Sequence, residues 1–310
     1  MGKRNKEQEQ EGMNRLNRIQ PMTNILFNIL FLLCSLICIL PVVFVFMISI
    51  TSEEMLKRYG YSFIPQAFSL ESYRFLFKQG ATILQALGVS LFVTVLGTII
   101  GIILTTTMGY VLSRPNFKLK GFLTMVVFIP MIFNGGMIAS YVVNTNFLGL
   151  KDSIWVLIWP LAVSSFNVII CKTFFRTTIP DSVMESAKID GASQLTIFTR
   201  IVLPISKPVV ATIGLFLSFG YWNDWFMSSL YINSKHLFSL QALLNNILQN
   251  IQYLAKNPAL GVSIQEYKNS MPAEGARMAI AIVIVVPIAC AYPFFQKYFI
   301  SGLTIGAVKG

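Results

Sequence analysis

Charge is what this 310-residue chain has least of. Asp, Glu, Lys and Arg make up 12% of it, about half the roughly 25% of an ordinary soluble domain, and 55% is hydrophobic. That excludes a water-soluble globular fold and leaves an integral membrane protein. Acid is scarcer than base, 13 Asp and Glu against 24 Lys and Arg, for a formal charge of +11. In a soluble protein such an excess would raise nucleic acid as a partner. Here the bases cluster beside hydrophobic runs, where orientation in a bilayer accounts for them, and no nucleic acid is expected. Histidine occurs once, as His236, and Cys34, Cys38, Cys171 and Cys290 lie in or beside apolar runs without C-x-x-C spacing. Neither a metal centre nor a disulfide framework is expected from that set. No nucleophile has a base at motif spacing, so no catalytic constellation is legible. No G-x-x-x-x-G-K-[ST] run occurs, so the chain has no phosphate-cradling loop of its own. No cofactor is expected in this chain, and if ATP drives it, another polypeptide binds the nucleotide.

What is present is long apolar runs. Six can cross a bilayer, which takes about 20 helical residues: 24–50, 85–112, 121–141, 153–174, 208–231 and 278–295. They predict an all-α membrane protein with about six transmembrane helices. Gly97 and Gly101 give the second run a G-x-x-x-G that permits close helix approach. Pro130 and Gly135-Gly136 predict a bend or break in the third, and Pro160 and Pro287 lie inside the fourth and sixth. The mixed-charge stretch ahead of residue 24 is too long for a secretory leader, so the first run reads as a retained anchor. With the amino terminus cytoplasmic, one side of the membrane receives 15 of the 24 Lys and Arg and the other nine. The excess falls on short links, where it counts most, and an even number of spans puts both termini in the cytoplasm. Of the outer loops, 51–84 suits a short interfacial helix, and 232–277, rich in Asn and Gln, suits a cover over the outer mouth.

Between the fourth and fifth runs lies the longest polar interruption with helical periodicity, from Pro180 to Pro208. Pro180 disfavours helix at the residue before it. Ser182 and Glu185 have capping-box spacing, with Asp181 as a rival cap. A short helix can then run to Ile189 and end on a left-handed Gly191. A second follows, with Leu195, Phe198 and Ile201 on one face, closed by Leu203-Pro204. The charge count places this loop in the cytoplasm. Two short amphipathic helices joined at a glycine suit a partner's groove, although a polar linker between spans reads the same pattern.

The run Glu185-Ser186-Ala187, Asp190-Gly191-Ala192 and Ile201-Val202-Leu203-Pro204 resembles the EAA loop of ABC-importer permeases: E-A-A, three residues, G, nine residues, I-x-L-P. Ser186 replaces the middle alanine. The resemblance implies the type I importer permease fold, with residues 181–204 as cytoplasmic EAA coupling helices docked on an ATPase. It assigns coupling to Glu185, Ala187, Asp190, Gly191, Leu203 and Pro204. In the fifth run, Tyr221, Trp222, Asn223, Asp224 and Trp225 bring aromatic rings beside amide and carboxylate. Asp224 is the only acidic residue within a span, and intramembrane carboxylates usually face a cavity or pathway. An aromatic belt at the outer interface is the alternative. The family resemblance favours the pathway, because carbohydrate permeases carry a similar W-N-x-[WF] run in this span. The carboxyl end, from Tyr292 to Tyr298-Phe299 and then Gly306-Ala307-Val308-Lys309-Gly310, resembles carbohydrate-importer permeases of the maltose-transporter type. Within that type it is nearest the branch for complex oligosaccharides. That implies a tail, with Gly306 and Lys309, reaching between the ATPase subunits; composition alone suggests only a frayed terminus.

The chain is expected to divide into a cytoplasmic tail (1–23), a first span with its outer loop (24–84), a permease core (85–297) and a cytoplasmic carboxyl tail (298–310). The resemblance implies a subunit of an ATP-driven, binding-protein-dependent carbohydrate importer in the cytoplasmic membrane of a prokaryote, and not an enzyme. Its implied partners are a second homologous permease, an ATPase dimer that binds ATP and Mg, an extracytoplasmic solute-binding protein, a carbohydrate and membrane lipid. A permease for another solute such as amino acids shares the loop but not the tail. A stand-alone secondary transporter would need buried ionisable residues across several spans, where only Asp224 qualifies.

Overall fold

The computed structural model describes residues 21–78, 80–256 and 272–307. Helices α1 (Pro21–Ser49), α4 (Gly80–Ser113) and α15, whose apolar stretch is Ala273–Cys290, are each long and apolar enough to cross a membrane. Helix α1 is exposed on all sides except at its end, where Ile48 and Ser49 are buried, as lipid contact requires. Its neighbour is α15.

Helix α4 is the axis of the molecule and packs chiefly against α8 (Ser165–Thr178) and α12 (Lys207–Asn223). Gly97, Gly101, Thr105, Gly109 and Ser113, every fourth residue, are all buried and form a smooth stripe along it. The stripe is needed. A Cβ on Gly97 would run into the Tyr221 ring, and one on Gly101 would lie 2.8 Å from Ala162 O and Leu217 Cδ1. Small residues are how helices without a hydrophobic drive between them approach closely, and the Gly97–Gly101 pair serves that purpose.

The other expected spans are broken. The third is α5 (Lys120–Ile132) and α6 (Gly136–Val142), the latter running on as a π-turn to Phe147. The break falls at the expected glycines, with Gly136 at φ +80°, while Pro130 stays inside α5 without ending it. The fourth is a 3₁₀ turn (Ile154–Leu157), α7 (Trp159–Ala162) and α8, bent by 45°. Pro160 opens α7 rather than kinking a helix. The fifth is α12 and α13 (Phe226–Tyr231), interrupted at Asp224 and Trp225. The sixth, α15 (Ala273–Ala307), carries Pro287 and Pro293 and continues past residue 295, so no break marks the expected boundary at 298.

Two short helices occupy the loop after α1, expected to be an outer one, α2 (Glu53–Tyr59) and α3 (Glu71–Phe77). The second outer loop departs more from expectation. Its first part is α14 (Leu240–Lys256), which packs into the bundle against α4 and α15 instead of lying over it. Leu240, Leu244 and Ile251 are at most 1% exposed, the i, i+4, i+11 spacing of one helix face. Among the described residues the only β pairing is a single bridge between Thr51 and Phe68.

Candidate functional site

After α8, Ile179 and Pro180 are extended, and α9 (Asp181–Ile189) begins. The expected capping box does not form: Pro180 is the cap and Ser182 already lies within the helix. Asp181 in the first turn and Lys188 in the last complement the helix dipole. The end of α9 follows the glycine rule. Gly191, at φ +77°, donates to Lys188 O at 3.0 Å, and Ala192 donates to Ala187 O at 2.9 Å, the paired bonds of a Schellman motif. Ser193 then caps α10 (Gln194–Ile197) by accepting from Thr196 N, a cap not anticipated from the sequence. A π-turn (Phe198–Val202) and α11 (Leu203–Ile205) follow, and the chain turns by 83° into α12.

Ala187 faces inward, buried with Met184 against the core, so its small size serves packing within this chain. Glu185, Asp190 and Gly191 are exposed, Leu203 is half-buried and Pro204 exposed. The buried face of the second helix is Ile197, Phe198 and Val202; of the three residues expected to share a face, Phe198 is buried, Ile201 half-buried and Leu195 71% exposed, and Ile189 is 86% exposed. The π-turn adds a residue to the helical repeat, so a simple 3.6-residue reading does not carry across it. Helix α4 holds both short helices. Tyr110 Oη donates to Gln194 Oε1 at 3.1 Å and its ring lies 5.0 Å from that of Phe198. The Arg114 guanidinium sits 5.0 Å from the Tyr110 ring centre and 3.7 Å from Asp181. These residues border a cavity of about 460 Å³ beneath α9.

At the carboxyl end of α12 the structure divides the aromatic run. Tyr221 is buried and donates to Ile158 O at 2.7 Å, and Trp222 is buried and donates Nε1 to Ile284 O at 3.2 Å. Both pack within the bundle, and Trp222 also lines a cavity of about 350 Å³ beside Thr94 and Thr98. Asp224 is half-buried at the break; its Oδ1 accepts from Met227 N at 3.3 Å and its carbonyl from Ser239 Oγ at 3.2 Å. Its carboxylate thus organises the start of α13. Asn223 and Trp225 are exposed and border a second cavity, together with Gln241 and Asn245 of α14. No local signal marks the last two, since they belong to a helix hidden in an Asn- and Gln-rich loop. Gly306 lies within α15, and Lys309 falls outside the described residues. Among the described residues no group of His, Cys, Asp and Glu is arranged to hold a metal ion.

A family model described as "Binding-protein-dependent transport system inner membrane component" matches residues 97–305. Protein LplC of Bacillus subtilis (strain 168) is 41% identical over 285 residues, 91% of this chain and 94% of its own. The polygalacturonan/rhamnogalacturonan transport system permease protein YtcP of the same organism is 40% identical over 294 residues, 93% of this chain and 100% of its own. A solved structure of a bacterial ABC transporter involved in the import of the acidic polysaccharide alginate contains a similar chain. The likeness has a TM-score of 0.74 at 26% identity, over 90% of this chain and 96% of that one. This chain belongs to the family of binding-protein-dependent transport system inner membrane components: it is an all-α, multi-pass membrane permease of the ABC-importer type, a translocation subunit and not an enzyme.

Proposed function

We propose that this chain is one permease of an ATP-driven importer of oligosaccharides, working with a second homologous permease, an ATPase dimer and an extracytoplasmic solute-binding protein. The observation that carries the reading is the exposed face of the α9–α10 loop. Ile189 and Leu195 stand out on either side of the Gly191 turn, with Glu185, Lys188 and Asp190 around them. Apolar side chains rimmed by charge, on the side of the membrane richer in Lys and Arg, suit a cytoplasmic protein partner. The partner ATPase binds ATP and Mg, and its closure moves α9 and α10. The ties from Gln194 to Tyr110 and from Asp181 to Arg114 pass that motion to α4 as a rigid-body shift. In the same reading both termini lie in the cytoplasm, and the end of α15, with Gly306 and Lys309, reaches the ATPase.

An oligosaccharide cargo is supported by the relative named for polygalacturonan and rhamnogalacturonan and by the neighbour described as an alginate importer. A stand-alone secondary transporter would have to couple through Asp224 alone, and that carboxylate already accepts from the Met227 N–H at the start of α13. The test is uptake by the assembled transporter in proteoliposomes with its binding protein, against neutral oligosaccharides, uronic-acid oligosaccharides and amino acids. ATP-dependent uptake of an oligosaccharide and of no amino acid is expected. Uptake of an amino acid alone, or uptake without ATP, would overturn the reading.

A further inference from the structure

The cavity at the carboxyl end of α12 measures about 210 Å³ and is lined by Asn223 and Trp225, by Gln241 and Asn245 of α14, and by the apolar side chains of Ile280 and Ile284. No charged side chain is among the described residues that line it. Gln241 is 5% exposed. Its Oε1 accepts from the Ser90 hydroxyl at 3.1 Å, and that hydroxyl accepts in turn from Leu240 N at 2.8 Å. The amide is thereby oriented, and Nε2 is left buried without a partner. One helical turn later, Asn245 Nδ2 is also buried and unpaired. Asn223 spends its Nδ2 on Phe219 O at 2.9 Å, which leaves its Oδ1 as an acceptor.

Residues four apart share a helix face, so the two free amide groups bound the same space. Buried donors without acceptors are rare in native structures and ask for an explanation. Here the missing acceptors share a cavity with an indole that is 45% exposed. The space is smaller than the roughly 300–1,000 Å³ of drug-sized sites, which fits one ring or the end of a longer ligand. Neutral donors beside an aromatic face match a sugar ring, whose oxygens accept hydrogen bonds and whose C–H face is apolar.

We infer that Gln241 and Asn245 form a sugar-ring subsite of this chain, donating Nε2–H and Nδ2–H to ring oxygens while Trp225 offers its face. The acceptor is a hydroxyl or a ring carboxylate, which present the same chemistry to an amide. The subsite rests on the carbohydrate reading above and adds which residues recognise the ring.

The test is equilibrium binding of radiolabelled galactotriose and trigalacturonate to the detergent-purified transporter, binding protein omitted, alongside uptake with it present. Gln241→Leu and Asn245→Leu are each expected to raise Kd about tenfold, or about 1.4 kcal/mol, with the ATPase subunit still co-purifying. Gln241→Glu keeps the bond from Ser90 and separates the acceptors. Against a carboxylate it abolishes trigalacturonate binding and spares galactotriose; against a hydroxyl, which turns its own proton to the new acid, both persist. Unchanged Kd in both leucine variants overturns the subsite and makes the amides water-binding groups. Uptake without direct binding overturns the subsite but leaves the carbohydrate reading standing. Neither binding nor uptake of either sugar sinks both.

Discussion

Ahead of the amino end of α12 the backbone is closed by its own hydrogen bonds, Ala192 N–H on Ala187 O and Thr196 N–H on Ser193 Oγ. There Ile189 and Leu195 are turned out. At the carboxyl end Leu240, Leu244 and Ile280 are packed away, Trp225 stays half exposed, and the amide nitrogens of Gln241 and Asn245 are buried without partners. The first surface gains free energy by covering apolar area, roughly 1.5–3 kcal/mol for each such side chain fully buried, which the proposed ATPase would provide. The second gains by receiving acceptors in a small space, which the proposed sugar ring would supply. The two ends of one helix therefore ask for different partners, and α4 joins them through its contacts with α12 and with both loop helices.

Breaking that junction should disable both ends together. Gly97→Leu drives a side chain into the Tyr221 ring. It should abolish uptake and lower the unfolding midpoint in detergent by on the order of 5–10 °C, as overpacking costs of about 1–3 kcal/mol imply. An unchanged midpoint would mean that the α4–α12 contact is not what unites the ends.

Separating the ends takes a substitution at the turn alone. A Cβ added to Gly191 would meet nothing within 4 Å, so only the φ of +77° opposes a side chain there. Gly191→Val should cost about 1–2 kcal/mol of local backbone strain and reduce ATP-driven uptake tenfold or more, while direct sugar binding stays unchanged. Gly191→Asn, which tolerates a left-handed backbone, should retain most uptake. Equal loss of binding in the valine variant would show that the two ends are not separable.

The smallest effect is expected where the loop at Asp152 is tied to the loop after α13. Asp152, at φ +54°, accepts from Ser234 Oγ at 2.6 Å and from the N–H groups of Ser234 and Asn233, both at 2.9 Å. The Ser234 hydroxyl bond, then these backbone bonds, hold its carboxyl below the usual carboxylate range. A carboxyl held low when folded adds stability that is complete above its unfolded value of about 3.9. That contribution is lost as pH falls through the lower folded value. Asp152→Asn, also compatible with positive φ, should lower the midpoint slightly at pH 7, and the difference should vanish in acid. A difference that persists below the usual carboxylate range would place the effect elsewhere.

The two ends also differ in how much of them can be read from residues in order. The loop is local: the turn at Gly191, the stop at Pro180 and the 185–204 spacing all act within a few residues, so the motif announces itself. Even there the expected common face of Leu195, Phe198 and Ile201 is split, with a π-turn at Phe198–Val202, Phe198 buried and Leu195 exposed. The carboxyl-end cavity is tertiary. Asn223 and Trp225 are visible beside an aromatic run, but Tyr221, Trp222 and Asp224 share that run and serve packing and capping. Gln241 and Asn245 lie in a segment whose polar composition hides the Leu240–Leu244–Ile251 face. Span breaks at Asp224 and Val163 are equally silent, since neither carries a glycine or proline at the break.

The claim that the α9–α10 face meets a cytoplasmic ATPase is tested most directly by labelling Ile189→Cys with a membrane-impermeant maleimide. The four native cysteines should first be replaced, because Cys34, Cys38 and Cys290 are exposed. Labelling is expected in inside-out vesicles that lack the ATPase subunit, and protection when that subunit is present. Labelling from the outer side, or no protection by the ATPase, would contradict the account.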